Sequence, residues 1–355
     1  MRRLLLVPAV LAAGCGGGGS SPTSPTAGGG EASVTAVVFY DENGNGRLDP
    51  GESVRLPQVG VQVGGVIGRT DARGTAVVQN AASGSVTAQV LAGSLPPYYQ
   101  AGPPVNLTLP LPAGTQLQLP VTLDIGSNNP NTYVAFGDSI TNGDGSSDGM
   151  GYRGLLQGDL QGWFGRAVII NEGVEGTRSG QAVDRIGGVL AHDRPAYTLI
   201  HYGTNDWNDF HCRQSFPCSL PSNLQAVVDA CKAAKSLPVL ATIIPANPAF
   251  PAQVPPQRNS WIHQEDAAIR DLAHQEQIVL ADMEAAFLKQ GDLPQLFSDH
   301  IHPNDRGYQI MAQVFFDAIT RPIALGVIVG PQGQLGQRLL APPRMAPVEP
   351  TRRPH

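Results

Sequence analysis

Residues 133–141 read YVAFGDSIT, and this stretch decides the fold. The apolar run Tyr133–Phe136 predicts a buried strand, and Gly137 predicts a tight turn directly after it. Ser139 then lies at the mouth of that strand. Reactive groups of open α/β sheets gather beyond the carboxyl ends of the strands, so this position favours a functional serine. The alternative is a helix cap, a role that Asp138 or Ser139 also suits.

Outward from this stretch, strands alternate with helices. The candidate strands are Tyr133–Phe136, Ala167–Asn171, Tyr197–Tyr202, Val239–Ile244 and Ile278–Asp282. The candidate helices are Tyr152–Phe164, Gly180–Leu190, Ser222–Ser236, Arg258–His274 and Asp305–Thr320. This alternation predicts a domain over residues 131–322 with a parallel sheet flanked by helices.

An acid and a histidine lie three residues apart near the end of this domain, in the segment DHIHP at residues 299–303. A serine nucleophile needs a base that takes its proton and an acid that orients that base. A short turn can bring Asp299 to one imidazole nitrogen of His302 and leave the other nitrogen for Ser139. His300 is the poorer base because Asp299 is its direct neighbour. The alternative is a surface turn ahead of the last helix.

Two polar clusters follow the second and third candidate strands, NEGVEG at residues 171–176 and GTND at residues 203–206. Acyl transfer builds an oxyanion, which needs preorganised N–H donors. The backbone N–H groups of Ser139 and Gly176 and the side-chain amide of Asn205 would supply three. The alternative is that both clusters are ordinary turns.

These four blocks, taken in order, resemble the SGNH hydrolase superfamily, also called the GDSL esterases and lipases. The serine block is residues 136–141, the glycine block 171–179 with Gly176 at the matching place, the asparagine block 203–206 and the histidine block 299–303. The resemblance implies a three-layer α/β/α fold related to flavodoxin, with a five-stranded parallel sheet. It also implies double displacement through Ser139, with His302 as the base, Asp299 as its orienting acid and no cofactor in catalysis.

Residues 32–125 have a different pattern, with short alternating or β-branched runs between Gly, Pro, Asp and Asn. The runs are Ser33–Tyr40, Gly60–Val66, Gly74–Gln79, Ser85–Leu91 and Gln116–Leu123. They predict an N-terminal all-β sandwich, joined to the second domain by a linker at residues 126–130. The segment resembles the Cna-B or carboxypeptidase-regulatory type of bacterial surface module, which implies a spacer or an adhesive unit.

Residues 41–52 read DENGNGRLDPGE and follow the spacing of a twelve-position calcium loop. Gly46 stands at position 6, where such a loop turns sharply. The alternative is a polar hairpin turn without metal. The predicted Ca²⁺ ligands, with Arg47 contributing its backbone carbonyl, are Asp41, Asn43, Asn45, Arg47, Asp49 and Glu52.

Residues 1–14 predict an export signal, with two arginines, a short apolar run and small residues in order. Cys15 follows at once, and the pattern resembles a bacterial lipobox, which implies a lipid anchor on Cys15. The alternative is a cleaved secretory signal with an incidental cysteine. Residues 15–31 predict a flexible linker, and residues 323–355 predict a disordered Pro/Gly-rich tail.

The chain has three cysteines besides Cys15, and in an exported protein two of them could form a disulfide. Cys212 and Cys218 are six residues apart and predict a disulfide that borders the active site. Cys231 is then left as a small buried residue. The net charge of -6, without a Lys/Arg block beyond the short ends, argues against a nucleic-acid partner.

The sequence as a whole therefore predicts an exported serine ester hydrolase, either a cell-envelope lipoprotein or a secreted protein. Short acyl esters, or acetyl groups on polysaccharides, are the expected substrates. A lysophospholipase or thioesterase of the same superfamily is the nearest alternative. The alternative from another class is a non-catalytic surface adhesin.

Overall fold

The computed structural model describes residues 30–322. The predicted export signal, the predicted lipidation site Cys15 and the predicted tail from residue 323 lie outside these residues. Within residues 30–322, no helix combines the length and the apolar character that crossing a bilayer requires.

The N-terminal part is built from strands, as the sequence predicts. They form two four-stranded sheets, in the orders β4-β1-β8-β6 and β3-β2-β5-β7, and β1 pairs in parallel with β8. Valine, alanine and leucine side chains of both sheets meet in one buried core. The strands are β1 Glu31–Tyr40, β2 Gly60–Val63, β3 Val66–Arg69, β4 Thr75–Ala82, β5 Gly84–Val90, β6 Gln100–Ala101, β7 Val105–Leu109 and β8 Leu117–Thr122.

The single strand predicted over Gly60–Val66 was wrong. Gly64 and Gly65 have φ angles of 55° and 90°, which turn the chain between β2 and β3. The alternation of apolar residues continues across the turn, and this hides it in the sequence.

The C-terminal part contains a five-stranded sheet in which all neighbouring strands are parallel, as predicted. Its order is β10-β9-β11-β12-β13. The strands are β9 Asn129–Gly137, β10 Val168–Gly173, β11 Pro195–His201, β12 Leu237–Ala241 and β13 Val279–Ala281. The helices are α1 Ser139–Asn142, α2 Tyr152–Phe164, α3 Ser179–Asp193, α4 Phe210–Gln214, α5 Leu220–Ala233, α6 Pro256–Gln275, α7 Met283–Leu288 and α8 Asp305–Thr320.

Helices cover both faces of this sheet. The apolar sides of α2 and α8 belong to the core that continues into the N-terminal part. The apolar sides of α3, α5 and α6 form a second core on the other face. Both faces of the sheet are therefore shielded from water, which fits the almost continuous apolar sequences of its strands.

The predicted linker at residues 126–130 is shorter in the structure, because β9 already begins at Asn129. Asn129 is paired with Pro195 of β11, and its backbone N–H donates to the carbonyl of Arg194 at 2.7 Å. The neighbouring strand extends far enough to pair with these residues, and this draws them into the sheet.

The N-terminal part packs against the amino ends of the parallel strands. The Tyr98 hydroxyl donates to the carbonyl of Pro238 at 2.6 Å and accepts from the N–H of Val279 at 3.1 Å, at the starts of β12 and β13. The Asn131 amide, near the start of β9, donates to Glu42 at 3.0 Å. The carboxyl ends of the strands consequently lie at the other end of the sheet, away from the N-terminal part.

Candidate active site

Ser139 is the first residue of α1, directly beyond the carboxyl end of β9. Asp138 caps this helix, because one of its carboxylate oxygens accepts from the N–H of Ile140 at 3.0 Å. β9 lies between β10 and β11, where the strand order of the sheet reverses. Ligands of open α/β sheets bind in the crevice at such a point, so the local sequence places a serine hydroxyl where a ligand is expected to bind.

A continuous hydrogen-bonded chain runs from the serine to an acid. His302 Nε2 lies 2.9 Å from Ser139 Oγ, and His302 Nδ1 lies 2.7 Å from Asp299 Oδ2. The backbone N–H groups of Ile301 and His302 donate to the other oxygen of Asp299 at 2.8 and 2.7 Å. This turn fixes the acid and its histidine as one unit. His300 stands apart, with its Nδ1 3.8 Å from the nearer oxygen of Asp299.

The charge of Asp299 is well stabilised. Partial burial opposes its ionisation, but hydrogen bonds from the His302 side chain and from two backbone N–H groups outweigh burial and hold its pKa below the usual value. The carboxylate is therefore ionised at neutral pH. An ionised acid at Nδ1 holds the proton on that nitrogen and leaves Nε2 free to face Ser139.

Asp138 links the serine block to the asparagine block. Its second oxygen accepts from the side-chain amide of Asn205 at 3.3 Å, and that amide also donates to the carbonyl of Thr177 at 3.1 Å. Burial raises the pKa of Asp138 to about 7, against the opposing hydrogen bond from the N–H of Ile140. The structure thus brings the serine, glycine and asparagine blocks together around one buried carboxyl group.

Gly176 lies beside Thr177 in a left-handed conformation, with a φ of 70°. A Cβ atom there would meet nothing within 4 Å, so the backbone of Gly176 faces open space. Of the three predicted oxyanion donors, Ser139 starts α1, Asn205 contacts Asp138 beside it, and Gly176 is the chain neighbour of Thr177, to which the Asn205 amide also donates. The amide nitrogen of Asn205 is directed at Asp138 and Thr177 in this structure.

Gly173 is a site residue that the sequence reasoning missed. A Cβ atom at this position would come within 2.8 Å of the Asp138 carbonyl oxygen and of the Thr141 carbonyl carbon. The end of β10 packs on the serine turn at a distance that only glycine permits. The available signal was its place in the cluster NEGVEG. That cluster contains two glycines, and only Gly176 was singled out from the sequence.

Arg258 was missed as well, and no local pattern marks it. Its side chain is buried, donates to the carbonyls of Thr204 at 3.2 Å and Gln253 at 3.3 Å, and lies over the Trp207 ring at 6.0 Å. Burial lowers its pKa to about 10, so it stays protonated at neutral pH. It forms no ion pair with any acid among residues 30–322. This arginine ties the asparagine block to α6.

Asn247 supports the turn that carries the histidine. Its side-chain amide donates to the carbonyl of Asp299 at 3.0 Å, and its backbone N–H donates to the carbonyl of His300 at 3.0 Å. The residue is buried in the loop after β12. A loop asparagine gives no signal of this kind in a sequence, because its partners are backbone atoms 52 residues away.

The structure joins Cys212 and Cys218 in a disulfide and leaves Cys231 as a free, buried cysteine. The disulfide closes the loop after the asparagine block. The Trp261 ring nitrogen donates to the carbonyl of Cys212 at 3.0 Å, which ties this loop to α6.

The acidic loop at residues 41–52 is held by its own side chains. Asp41 accepts from the N–H groups of Gly44, Asn45 and Gly46, and Glu52 accepts from those of Glu42 and Asp49. The predicted metal ligands of this loop all offer oxygen atoms, and oxygen ligands suit a hard cation such as Ca²⁺. Across residues 30–322, no group of three or more His, Cys, Asp or Glu side chains is assembled as a metal centre.

The sequence model of the GDSL-like lipase/acylhydrolase family matches residues 135–310. This region is a GDSL-like lipase/acylhydrolase domain. All four sequence blocks of the GDSL domain fall within the matched residues, and so does the hydrogen-bonded chain from Ser139 to Asp299.

Several solved structures are similar to the chain over a little more than half of its length. Axe2, an acetylxylan esterase from Geobacillus stearothermophilus, is 21% identical, with 56% of this chain and 96% of that chain covered and a TM-score of 0.46. LAE5, an alpha/beta hydrolase enzyme from the metagenome of Lake Arreo, is 24% identical, with 54% and 96% covered and a TM-score of 0.45. A member of the lipolytic G-D-S-L family from Veillonella parvula is 18% identical, with 54% and 98% covered and a TM-score of 0.46. Comparison with curated proteins found no match.

Proposed function

We propose that the GDSL domain is a serine carboxylic ester hydrolase with Ser139 as nucleophile. The observation that carries the proposal is the unbroken chain Ser139–His302–Asp299, with contacts of 2.9 and 2.7 Å. An activated serine needs a base within hydrogen-bond reach and a third group that orients this base. Both distances meet that requirement.

The proposed reaction is a double displacement. His302 Nε2 takes the proton of Ser139 as Oγ bonds to the ester carbonyl carbon, and the carbonyl oxygen becomes an oxyanion. The same proton then passes to the leaving alcohol as the ester C–O bond breaks. Water, deprotonated by His302, attacks the acyl-enzyme, and the carboxylic acid leaves as Ser139 regains its proton. Asp299 stabilises the charged imidazole throughout.

The oxyanion donors in this proposal are the N–H groups of Ser139 and Gly176 and the amide of Asn205. Their blocks meet beside the serine turn, and this supports the assignment. The Asn205 amide has two N–H groups, and one of them would turn toward the oxyanion as the substrate binds while the contact with Asp138 keeps the amide in position. A donor that strengthens its contact only in the transition state raises the rate, because it favours that state over the bound substrate.

Hydrolysis of p-nitrophenyl acetate tests the serine mechanism. We expect Ser139→Ala to lower kcat at least about a thousandfold, because the residual rate comes only from binding and the oxyanion donors. Ser222→Ala, an exposed serine on α5, is the matched control and keeps the wild-type rate. Equal rates for wild type and Ser139→Ala would reject the mechanism and favour the adhesin alternative.

For the substrate, we propose short-chain acyl or acetyl esters, including O-acetyl groups on polysaccharide. Lysophospholipids or thioesters are the alternative within the same superfamily. Release of acetate from acetylated glycans, measured against release of fatty acid from lysophosphatidylcholine, separates the two. We expect the higher kcat/KM for the glycan.

For location, we propose an exported protein with a lipid anchor on Cys15. The disulfide Cys212–Cys218 supports export, because such bonds persist in oxidising compartments. Mass spectrometry of the mature amino terminus tests the anchor. A diacylated Cys15 is the expected result, and a Cys15→Ser variant should move from the membrane fraction to the soluble fraction.

For the acidic loop, we propose that Ca²⁺ binds to residues 41–52 and braces the N-terminal part. Asp41, Asn43, Asn45, Asp49, Glu52 and the Arg47 carbonyl would hold the ion through oxygen alone. Ca²⁺ at 1 mM should raise Tm by several degrees in wild type and leave Glu52→Gln unchanged, since a ligand that binds only the folded state stabilises it. No shift in wild type contradicts the proposal.

A further inference from the structure

A surface groove of about 580 Å³ begins beside the proposed active site and runs over the amino ends of α3 and α5. Gly176 and Asp206 line one end of it. Their chain neighbours Thr177 and Asn205 are hydrogen bonded to each other, and Asn205 contacts Asp138, the residue before the nucleophile. The groove therefore borders the glycine and asparagine blocks of the proposed active site.

Two amide side chains in the groove are held at one end and free at the other. The Gln181 oxygen accepts from the N–H of Arg178 at 2.9 Å, and the Asn223 nitrogen donates to Ser179 Oγ at 2.9 Å. Within residues 30–322, the Gln181 nitrogen and the Asn223 oxygen have no hydrogen-bond partner. The fixed end of each planar amide orients its free end, so the groove offers one preoriented donor and one preoriented acceptor.

The charge of the groove selects against anions. Arg178, its only cation, is paired with Asp209 at 2.9 Å. Asp184, exposed on α3, has neither a hydrogen bond nor an ion pair among the described residues 30–322. Its carboxylate is a free acceptor for hydroxyl groups and repels phosphate or carboxylate groups. The polar lining thus suits a neutral ligand that both donates and accepts hydrogen bonds.

An exposed aromatic residue lies in a chain segment that lines the groove. Phe210 is 59% exposed on α4, between Asp209 and Cys212, which both line the groove. The disulfide to Cys218 fixes the segment that carries this ring. Sugar rings present hydroxyl groups at their edges and C–H groups on their faces, so a polar groove with an exposed aromatic residue in its lining segment suits both surfaces of a sugar.

We infer that this groove binds the alcohol portion of the ester, and that this portion is an uncharged sugar residue of an O-acetylated glycan. The inference rests on the proposed esterase function and specifies its substrate class. A phosphate-bearing lipid headgroup or a uronic acid would bring a negative charge to Asp184 and is selected against.

The test compares three esters: acetylated xylotetraose, acetylated tetragalacturonide and p-nitrophenyl acetate. We expect the double variant Gln181→Ala/Asp184→Ala to lower kcat/KM for acetylated xylotetraose about tenfold more than for p-nitrophenyl acetate, mostly through KM, because two hydrogen bonds to hydroxyl groups are lost. Asp271→Ala, an exposed acid on α6 outside the groove, is the matched control and should change neither value.

A second variant gives a gain of activity. Asp184→Lys replaces the free negative charge with a positive one, so kcat/KM for acetylated tetragalacturonide should rise severalfold relative to acetylated xylotetraose. An unchanged ratio for this variant would overturn the inference, and so would a wild-type preference for the acidic glycan or for lysophosphatidylcholine. Equal losses on xylotetraose and p-nitrophenyl acetate in the double variant would overturn it as well. Wild type inactive on all three esters would instead reject the proposed esterase function, and the inference with it.

Discussion

Asp138 uses its two carboxylate oxygens for two neighbours of the serine. One oxygen accepts from the N–H of Ile140 and starts α1, and the other accepts from the Asn205 amide. The first contact aims Ser139, and the second sets the position of a proposed oxyanion donor. Asp138 is therefore best understood as a positioning residue that acts through both.

Asp138→Asn separates these two tasks. Asparagine also caps helices, so the serine turn should persist. Its amide nitrogen would face the Asn205 nitrogen, and two donors repel, so Asn205 should swing away. We expect kcat for p-nitrophenyl acetate to fall about a hundredfold with little change in Tm. Asp148→Asn, an exposed acid in the loop after α1, is the control. Unchanged kcat in Asp138→Asn would contradict the role.

His201 makes stability depend on pH. It is buried at the end of β11, its two ring nitrogens have no hydrogen-bond partner among residues 30–322, and burial lowers its pKa from 6.5 to about 4. The unfolded chain takes up a proton near pH 6.5, whereas the folded chain does so only near pH 4. Acid therefore favours the unfolded state within this window.

His201→Leu should remove this contribution. The free energy of unfolding of wild type is expected to lose roughly 2 kcal/mol more than that of the variant between pH 7 and pH 4.5. Urea unfolding at both pH values measures the difference. Parallel losses in the two proteins would show that His201 does not contribute.

At this scale, the sequence was sufficient to predict the contacts among Ser139, His302 and Asp299, because each residue follows a strand or precedes a helix in a short local pattern. Arg258 and Asn247 could not be found in the same way. Their partners are backbone carbonyls far away in the chain, and backbone atoms carry no sequence signal.

At the scale of elements, the end of β10 is packed against the serine turn. Gly173→Ala should lower the free energy of unfolding by about 1–3 kcal/mol and reduce kcat, because the added methyl group would overlap the backbone of Asp138 and Thr141. Gly187→Ala, at an exposed position of α3 with open space around it, is the control and should be neutral or slightly stabilising. A Gly173→Ala protein with wild-type Tm and kcat would show that this packing is loose.

Helix ends were predicted well where a capping signal exists. The α2 helix ends before Gly165, which has a φ of 86°, and Asn304 caps α8 through the N–H groups of Arg306 and Gly307. The short strands β6 and β7 were missed. β6 has only two residues, Gln100 and Ala101, and so offers no pattern. β7 reads VNLTL and does alternate, but Pro104 and Pro110 flank it directly, and this left its alternation unrecognised.

At the scale of the whole molecule, the hydroxyl group of Tyr98 makes two of the hydrogen bonds between the N-terminal part and the parallel sheet. Tyr98→Phe removes the hydrogen bonds to Pro238 and Val279 and leaves these backbone groups without their partner. We expect the free energy of unfolding to fall by about 1–3 kcal/mol, measured in urea, with kcat unchanged because the interface lies at the end of the sheet opposite the active site. A variant as stable as wild type would show that the hydroxyl group is dispensable.

The packing of the N-terminal part against the amino ends of the parallel strands also sets the distance between residue 30 and Ser139. The strand β1 runs from its entry at residue 30 toward the interface, and β9 runs from the interface toward Ser139, each over about 30 Å. The point where the chain enters and the point where it acts are thus at opposite ends. The anchor proposed on Cys15 would therefore join the described residues at the end opposite to Ser139.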